Sequence, residues 1–377
     1  MPLAVVAVLL LSLAAWGQQG SQDLDAKIKE IDQKLAELQQ LKTELETLRD
    51  EVVGAPGVEK KPGWQDKVKL TGYFHARSTY RDWDVDSFDL RRMYITLIGK
   101  PTDKATAVVT WARIGTDALG QTNTDWATAY VDYQWSPEWA TRFGQGANSF
   151  GLETGQSSSQ RLGLDRAAVL EGGQGRPLGL YFAGPWDRGL WVMRKPQSGS
   201  MWDPEVVLGV LNGQFRNTEK DQNKTWTLDL KWHPTWGQFG ASYLTGRWVN
   251  DMGLPAAPTG STDRRAILGY ARWDPPGSSW ALQGEYTAGE LFGNDICGWY
   301  GQLEYDPYPQ GTAYAKYERY DPTQGTGGGE YDSWHLGFAH WVDSNNELTL
   351  QYSMGTNRQA ATHPRRNELA LQWQAGF

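Results

Sequence analysis

A two-residue period constrains this chain most. Leu369, Leu371, Trp373, Ala375 and Phe377 fall on one side of an extended segment, with Glu368, Ala370, Gln372 and Gln374 on the other. The same alternation sets Trp226, Leu228, Leu230 and Trp232 against Thr225, Thr227, Asp229 and Lys231, and Leu348, Leu350, Tyr352 and Met354 against Glu347, Thr349, Gln351 and Ser353. Successive side chains of a strand point to opposite faces, so each such strand has one face suited to lipid and one suited to water. A transmembrane β-barrel uses that pattern, while a helical span needs about 20 consecutive apolar residues. After the first fifteen residues no run approaches that length, and mean hydropathy is −0.58.

The alternation begins near Lys67, and its connections differ in length. Short turns, many with proline, fall at 101–103, 136–137, 196–203, 233–235, 274–278, 306–311 and 342–346. Generally longer polar stretches fall at 81–86, 115–125, 148–186, 212–222, 250–263, 289–295, 321–330 and 355–364. Seven turns and eight loops predict about 16 antiparallel strands, an even number with both ends on the periplasmic side. That parity requires 178–184 to belong to a loop. Trp135 and Trp139, Trp232 and Trp236, and Trp273 and Trp280 flank short turns, where they read as an interfacial aromatic girdle.

The part before the barrel reads differently. Residues 1–20 are expected to be a signal peptide, because 3–15 is a short apolar run followed by small residues, although a basic start is missing. Within 21–53, Leu24, Ile28, Ile31, Leu35, Leu38, Leu41, Leu45, Leu48 and Val52 recur at spacings of four and three, a seam that predicts an α-helical coiled coil in the periplasm. A single amphipathic helix lying on the barrel is the alternative. Residues 54–65, rich in Gly and Pro, read as a linker, and 66–377 as the barrel.

One connection stands apart. The third loop, 148–187, is longer than compact domains usually tolerate and carries both apolar anchors and mixed charge. It is expected to fold into the lumen and constrict it. The candidate pore-lining residues are Lys67, Lys69, Arg77, Arg91, Arg92, Asp132 and Arg142 on the strands, with Glu153, Arg161, Asp165, Arg166 and Glu171 in the loop. His75 shares the inward face with Arg77, and the phase slips at Arg91 and Arg92, so periodicity leaves open which of them points inward. Later strands place Glu285, Glu304, Glu318, Glu347 and Glu368 inward, with Arg272 and Lys316 among them. A basic wall opposite acids would set up a transverse field in a constriction.

Several segments resemble the phosphate-selective porins of the O and P family: 129–145 (AYVDYQWSPEWATRFGQ), 150–153 (FGLE), 164–166 (LDR), 88–99 (FDLRRMYITLIG), 187–189 (DRG) and 211–213 (LNG). The resemblance covers roughly residues 67–377 and is strongest in the first half. It implies a homotrimeric outer-membrane barrel of about 16 strands with an aqueous channel. That family usually carries a lysine after the Gly-Gln pair, where this chain has Gly146 and Ala147, a departure that weakens the expectation of phosphate selectivity.

These readings predict a porin passing small hydrophilic solutes or inorganic anions, with outer-membrane lipid around it. Alternatives are a phosphate- or anion-selective channel, or a non-conducting barrel that tethers the outer membrane through its coiled coil. No enzyme motif, metal-ligand spacing or cofactor fingerprint is expected among the five histidines or elsewhere. The net charge of −8, with no basic stripe, argues against nucleic acid. The lone Cys297 falls in a strand pattern and reads as a lipid-facing thiol.

Overall fold

The structure is a computed structural model. It describes residues 67–115, 123–173, 176–182, 184–198, 202–250, 260–324, 329–360 and 363–377, with Gln33, Ala36, Glu37, Gln40, Thr43 and Glu44 of an earlier segment. The chain divides into two units, Met1–Gly63 and Trp64–Phe377. In the first, those six residues are helical, and Gln40 Nε2 donates to Glu44 Oε1 at 3.2 Å, one helical turn on. The apolar seam expected for a coiled coil, the signal segment and the linker all lie outside the described residues.

In the second unit, 16 strands among the described residues close into an antiparallel barrel. They are β1 (Val68–Arg81), β2 (Ser87–Gly99), β3 (Ala105–Ile114), β4 (Asn123–Gln134), β5 (Trp139–Ala147), β8 (Trp186–Arg194), β9 (Glu205–Leu211) and β10 (Thr225–Trp232). The rest are β11 (Gly237–Asn250), β12 (Gly260–Trp273), β13 (Trp280–Leu291), β14 (Asn294–Tyr308), β15 (Gly311–Asp321), β16 (Tyr331–Trp341), β17 (Asn346–Asn357) and β18 (Arg365–Gly376). β1 pairs with β18 from Tyr73↔Gly376 to Arg81↔Glu368, which closes the ring and leaves no free edge.

Alternation accounts for the burial. On β18, Leu369, Leu371 and Trp373 are 43%, 44% and 54% exposed, whereas Ala370, Gln372 and Gln374 between them are 1%, 5% and 6% exposed. Apolar side chains cover the outer face and polar ones the inner, the inverse of a soluble protein. Trp135, Trp139, Trp236, Trp273 and Trp280 are all exposed beside short turns.

The connections depart from strict length alternation in two places. The expected loop 289–295 is a two-residue turn, because Phe292 and Gly293 both adopt positive φ (57° and 77°), the backbone a tight hairpin requires. On the short-turn side, the link from β8 to β9 takes ten residues, 195–204. Neither changes the strand count.

The segment 148–185 contains a five-residue helix α1 (Gly151–Gly155) and a small ribbon of β6 (Gly172–Gly173) and β7 (Arg176–Leu178). That ribbon is separate from the barrel sheet, so the condition on strand parity is met. Phe150, Val169, Leu170, Leu180, Tyr181 and Phe182 join Leu244, Trp248, Leu268, Leu291, Ile296 and Tyr320 of the strands in one buried cluster. Phe182 is central, its ring edge-on to Phe215 and Trp248 at 5.1 Å each. The apolar anchors therefore pack against buried side chains of β11–β15.

Candidate functional site

The charged part of the site begins with an irregularity in β2. His75 pairs with Arg92 and Ala76 with Leu90, so Arg91 is the extra residue of a β-bulge. A bulge resets the two-residue period, and both arginines are buried as a result. The choice left open by periodicity thus has a simple outcome: both turn inward. With Arg77 on the neighbouring strand they make a cationic wall.

Asp165 meets that wall. Its Oδ2 accepts from Arg77 Nη1 at 3.2 Å, and its Oδ1 from Arg91 Nη2 at 3.2 Å, with Arg92 Nη2 at 3.8 Å. The adjacent carbonyl of Leu164 accepts from Arg77, Arg92 and Arg161 at 3.1–3.4 Å. Burial alone would raise the Asp165 carboxyl. The guanidiniums of Arg77, Arg91, Arg176 and Arg92 outweigh it and hold the group well below the usual carboxylate range. For Glu171 burial is again opposed, by Arg166 and Arg92 above all, and its pKa falls to about 2. Arg161, desolvated and beside Arg166 and Arg92, is lowered to about 10.

Within the segment, Arg166 donates to Glu153 O at 2.9 Å and to Glu171 Oε2 at 3.1 Å, and Arg176 donates to Arg166 O at 2.6 Å. The acids of later strands also engage this segment. Glu153 Oε1 lies 2.5 Å from Lys316 Nζ, Glu285 Oε1 accepts from Glu153 N at 2.7 Å, and Glu318 Oε2 accepts from Ala168 N at 2.8 Å. Glu285 and Glu318 thus accept from backbone N–H groups of the segment, an arrangement that holds chain in place, whereas Glu304 and Glu368 pair with Arg272 and Arg81 of the barrel.

Four expected site residues lie elsewhere. Lys67 and Lys69 are exposed at the short-turn end, about eight residues along the strand from Arg77 (roughly 26 Å). Asp132 and Arg142 form a two-pronged pair on β4 and β5 at 2.8 and 3.0 Å, with the guanidinium 3.8 Å from the Tyr130 ring centre. They satisfy each other and do not join the Asp165 cluster.

A different surface escaped sequence reasoning. A cavity of about 270 Å³ is bounded by β1–β5 on one side and by 154–158 and 185–186 on the other. Tyr73 stacks on Tyr94 at 5.0 Å and 23°, and Tyr94 leans on Trp186 at 6.4 Å. Thr96, Thr110 and Thr128 add hydroxyls, and Ser158 Oγ lies 2.7 Å from Tyr73 Oη. Gly184 has φ +94°, and a Cβ there would collide with the Trp186 ring, so glycine is what lets the indole close the cavity. Inward phase at Tyr73 and Tyr94 was available as a signal, but aromatics in such a chain read first as lipid anchors. A smaller cavity of about 70 Å³ lies against β15–β18, lined by Asp165, Arg176, His335 and Glu368 among others.

Residues 71–252 match the family model of phosphate-selective porin O and P. That match takes in just under half of the chain and supports the family resemblance. With the closed 16-strand barrel it makes the protein an outer-membrane porin, and solved porin structures share its fold. An anion-selective porin from Comamonas acidovorans matches with a TM-score of 0.56 and 13% identity, over 82% of this chain and 99% of that one. OmpF of Salmonella typhi, solved with daunomycin, gives 0.58 and 11% over 82% and 97%. The outer-membrane expressed OmpT of Vibrio cholerae gives 0.54 and 12% over 82% and 97%. At these identities the likeness is one of fold alone. No curated protein sequence matches significantly.

Proposed function

We propose that the protein is a passive channel for small hydrophilic solutes, with 148–185 folded into the lumen as its constriction and the 270 Å³ void beside β1–β5 as the water path. The observation that carries this reading is the division of labour within the barrel. One side of the segment is anchored by apolar packing and ion pairs, while the other borders a hydroxyl-lined void. Polar residues there cost nothing if water passes, and would be wasteful in a sealed barrel. The residues proposed to set the constriction are Arg77, Arg91, Arg92, Glu153, Arg161, Asp165, Arg166 and Glu171, acting through the shape they impose.

A preference for anions is a second reading. Six guanidiniums (Arg77, Arg91, Arg92, Arg161, Arg166 and Arg176) surround Asp165 and Glu171, and one of them, Arg166, lines the void. Homotrimeric assembly in the outer membrane is proposed from the family resemblance, and a periplasmic coiled coil over 21–53 from its apolar seam.

Single-channel recording in a planar bilayer under a salt gradient tests both. Stepwise openings support the channel, and a reversal potential on the anion side supports the second reading. A silent membrane contradicts the channel and favours the tether.

A further inference from the structure

The void offers ring faces and hydroxyls but almost no free charge. Among its described lining residues, Arg166 carries the one charge. Three of its five N–H donors go to Glu153 O at 2.9 Å, Glu171 Oε2 at 3.1 Å and Gln156 O at 3.4 Å. No carboxylate lines the cavity among those residues. The neutral groups, by contrast, have capacity to spare. Thr128 Oγ1 is buried without a partner. Thr96 and Thr110 share one hydrogen bond at 3.0 Å, which leaves one proton and several lone pairs for a guest.

Resting on the reading of this void as the water path, we propose that it is a binding subsite for a neutral pyranose sugar of monosaccharide size. A pyranose presents flat C–H faces to aromatic rings and hydroxyls at its rim, which matches Tyr73, Tyr94 and Trp186 beside Thr96, Thr110 and Thr128. About 270 Å³ falls just short of the about 300 Å³ at which drug-sized ligand sites begin, which limits a guest to monosaccharide size. An inorganic anion has no use for stacked rings and would find one guanidinium, three of whose five N–H donors are already taken, where a phosphate site converges several. Sugar would cross the constriction by exchanging water for these hydroxyls at little cost, and would slow ions while resident.

The test uses the full-length protein in two assays, ion current in planar bilayers and calorimetric titration in detergent. D-glucose is the probe, and mannitol, an acyclic polyol of similar size, is the control. Glucose is expected to reduce the current in a saturable way and to release or absorb heat, with mannitol at least tenfold weaker. Tyr94→Leu should weaken glucose by about tenfold, the scale of one aromatic contact, while Tyr94→Phe keeps the stacking and most of the affinity. Circular dichroism of each variant reports the barrel. Equal effects of glucose and mannitol would overturn the proposal by reducing it to size exclusion. So would block by phosphate with no response to glucose. A protein that never conducts but binds glucose in the calorimeter would sink the channel reading and keep the subsite; openings with no glucose effect in either assay would do the reverse.

Discussion

Around Thr96, Thr110 and Thr128 of β2–β4 and along β10–β18 the barrel handles polar groups in opposite ways, whereas Arg91 and Arg92 at the bulge of β2 hold Asp165 and the Leu164 carbonyl. On the second, Asp229, Glu285, Glu318 and Gln351 each hold part of 148–185, through Ser149 Oγ, Glu153 N, Ala168 N and Leu164 N. On the first, Thr96, Thr110 and Thr128 touch the cavity and hold nothing of the segment. Charge thus clusters where chain is fastened, and neutral hydroxyls line what stays open. Ion pairs fix geometry strongly when buried, so they suit a clamp, whereas a conduit profits from groups that bind weakly enough to release.

The comparison can be broken most sharply at Asp165. Asp165→Ala leaves Arg77, Arg91 and Arg92 facing one another without their shared carboxylate, and removing one partner of a buried pair costs about 3–5 kcal/mol. The expected outcome is a marked fall in melting temperature together with larger, noisier single-channel currents. Phe182→Ala attacks the apolar anchor instead and should destabilise by a similar amount, about 3–5 kcal/mol, measured by thermal unfolding in detergent.

Acid should act late. Asp165 and Glu171 have depressed values, so their contribution is complete above the unfolded-state carboxylate range of about 4 and is lost as pH falls through the folded value, about 2 for Glu171. The difference in melting temperature between the wild type and Asp165→Ala is expected to stay flat from pH 7 to about pH 4.5 and to shrink below that. On the open side, Thr110→Lys should leave stability within about 1 kcal/mol while shifting the reversal potential toward anions. The smallest effect is expected from Arg142→Gln. Its pair with Asp132 is partly exposed and worth about 1 kcal/mol or less, and conductance should be unchanged.

Much of the frame was legible because lipid imposes a strict rule on strands. Leu369, Leu371 and Trp373 had to alternate with Gln372 and Gln374, and the period exposed the whole barrel. Asp165 was legible as charge in an over-long loop, and Arg77, Arg91 and Arg92 as charge on the strands. Their pairing was not, since Arg91 and Arg92 both reach it only through a bulge, and a one-residue slip leaves no mark in composition. Lys67, Lys69, Asp132 and Arg142 were grouped with them by face alone, and face says nothing about height along the barrel. The cavity was hidden for another reason. Trp186 starts a strand that is not adjacent to β2, so its meeting with Tyr94 depends on how 148–185 returns to the wall.

Substituted-cysteine accessibility tests the division between clamp and conduit most directly. In a Cys297→Ser background, Thr110→Cys and Leu268→Cys would be treated with a charged, water-soluble thiol reagent while single-channel current is recorded. The account predicts a stepwise loss of current for Thr110→Cys and no response for Leu268→Cys, which lies in the packed apolar cluster. Rapid block at Leu268→Cys with an inert Thr110→Cys would contradict it and move the water path to the other side of the barrel.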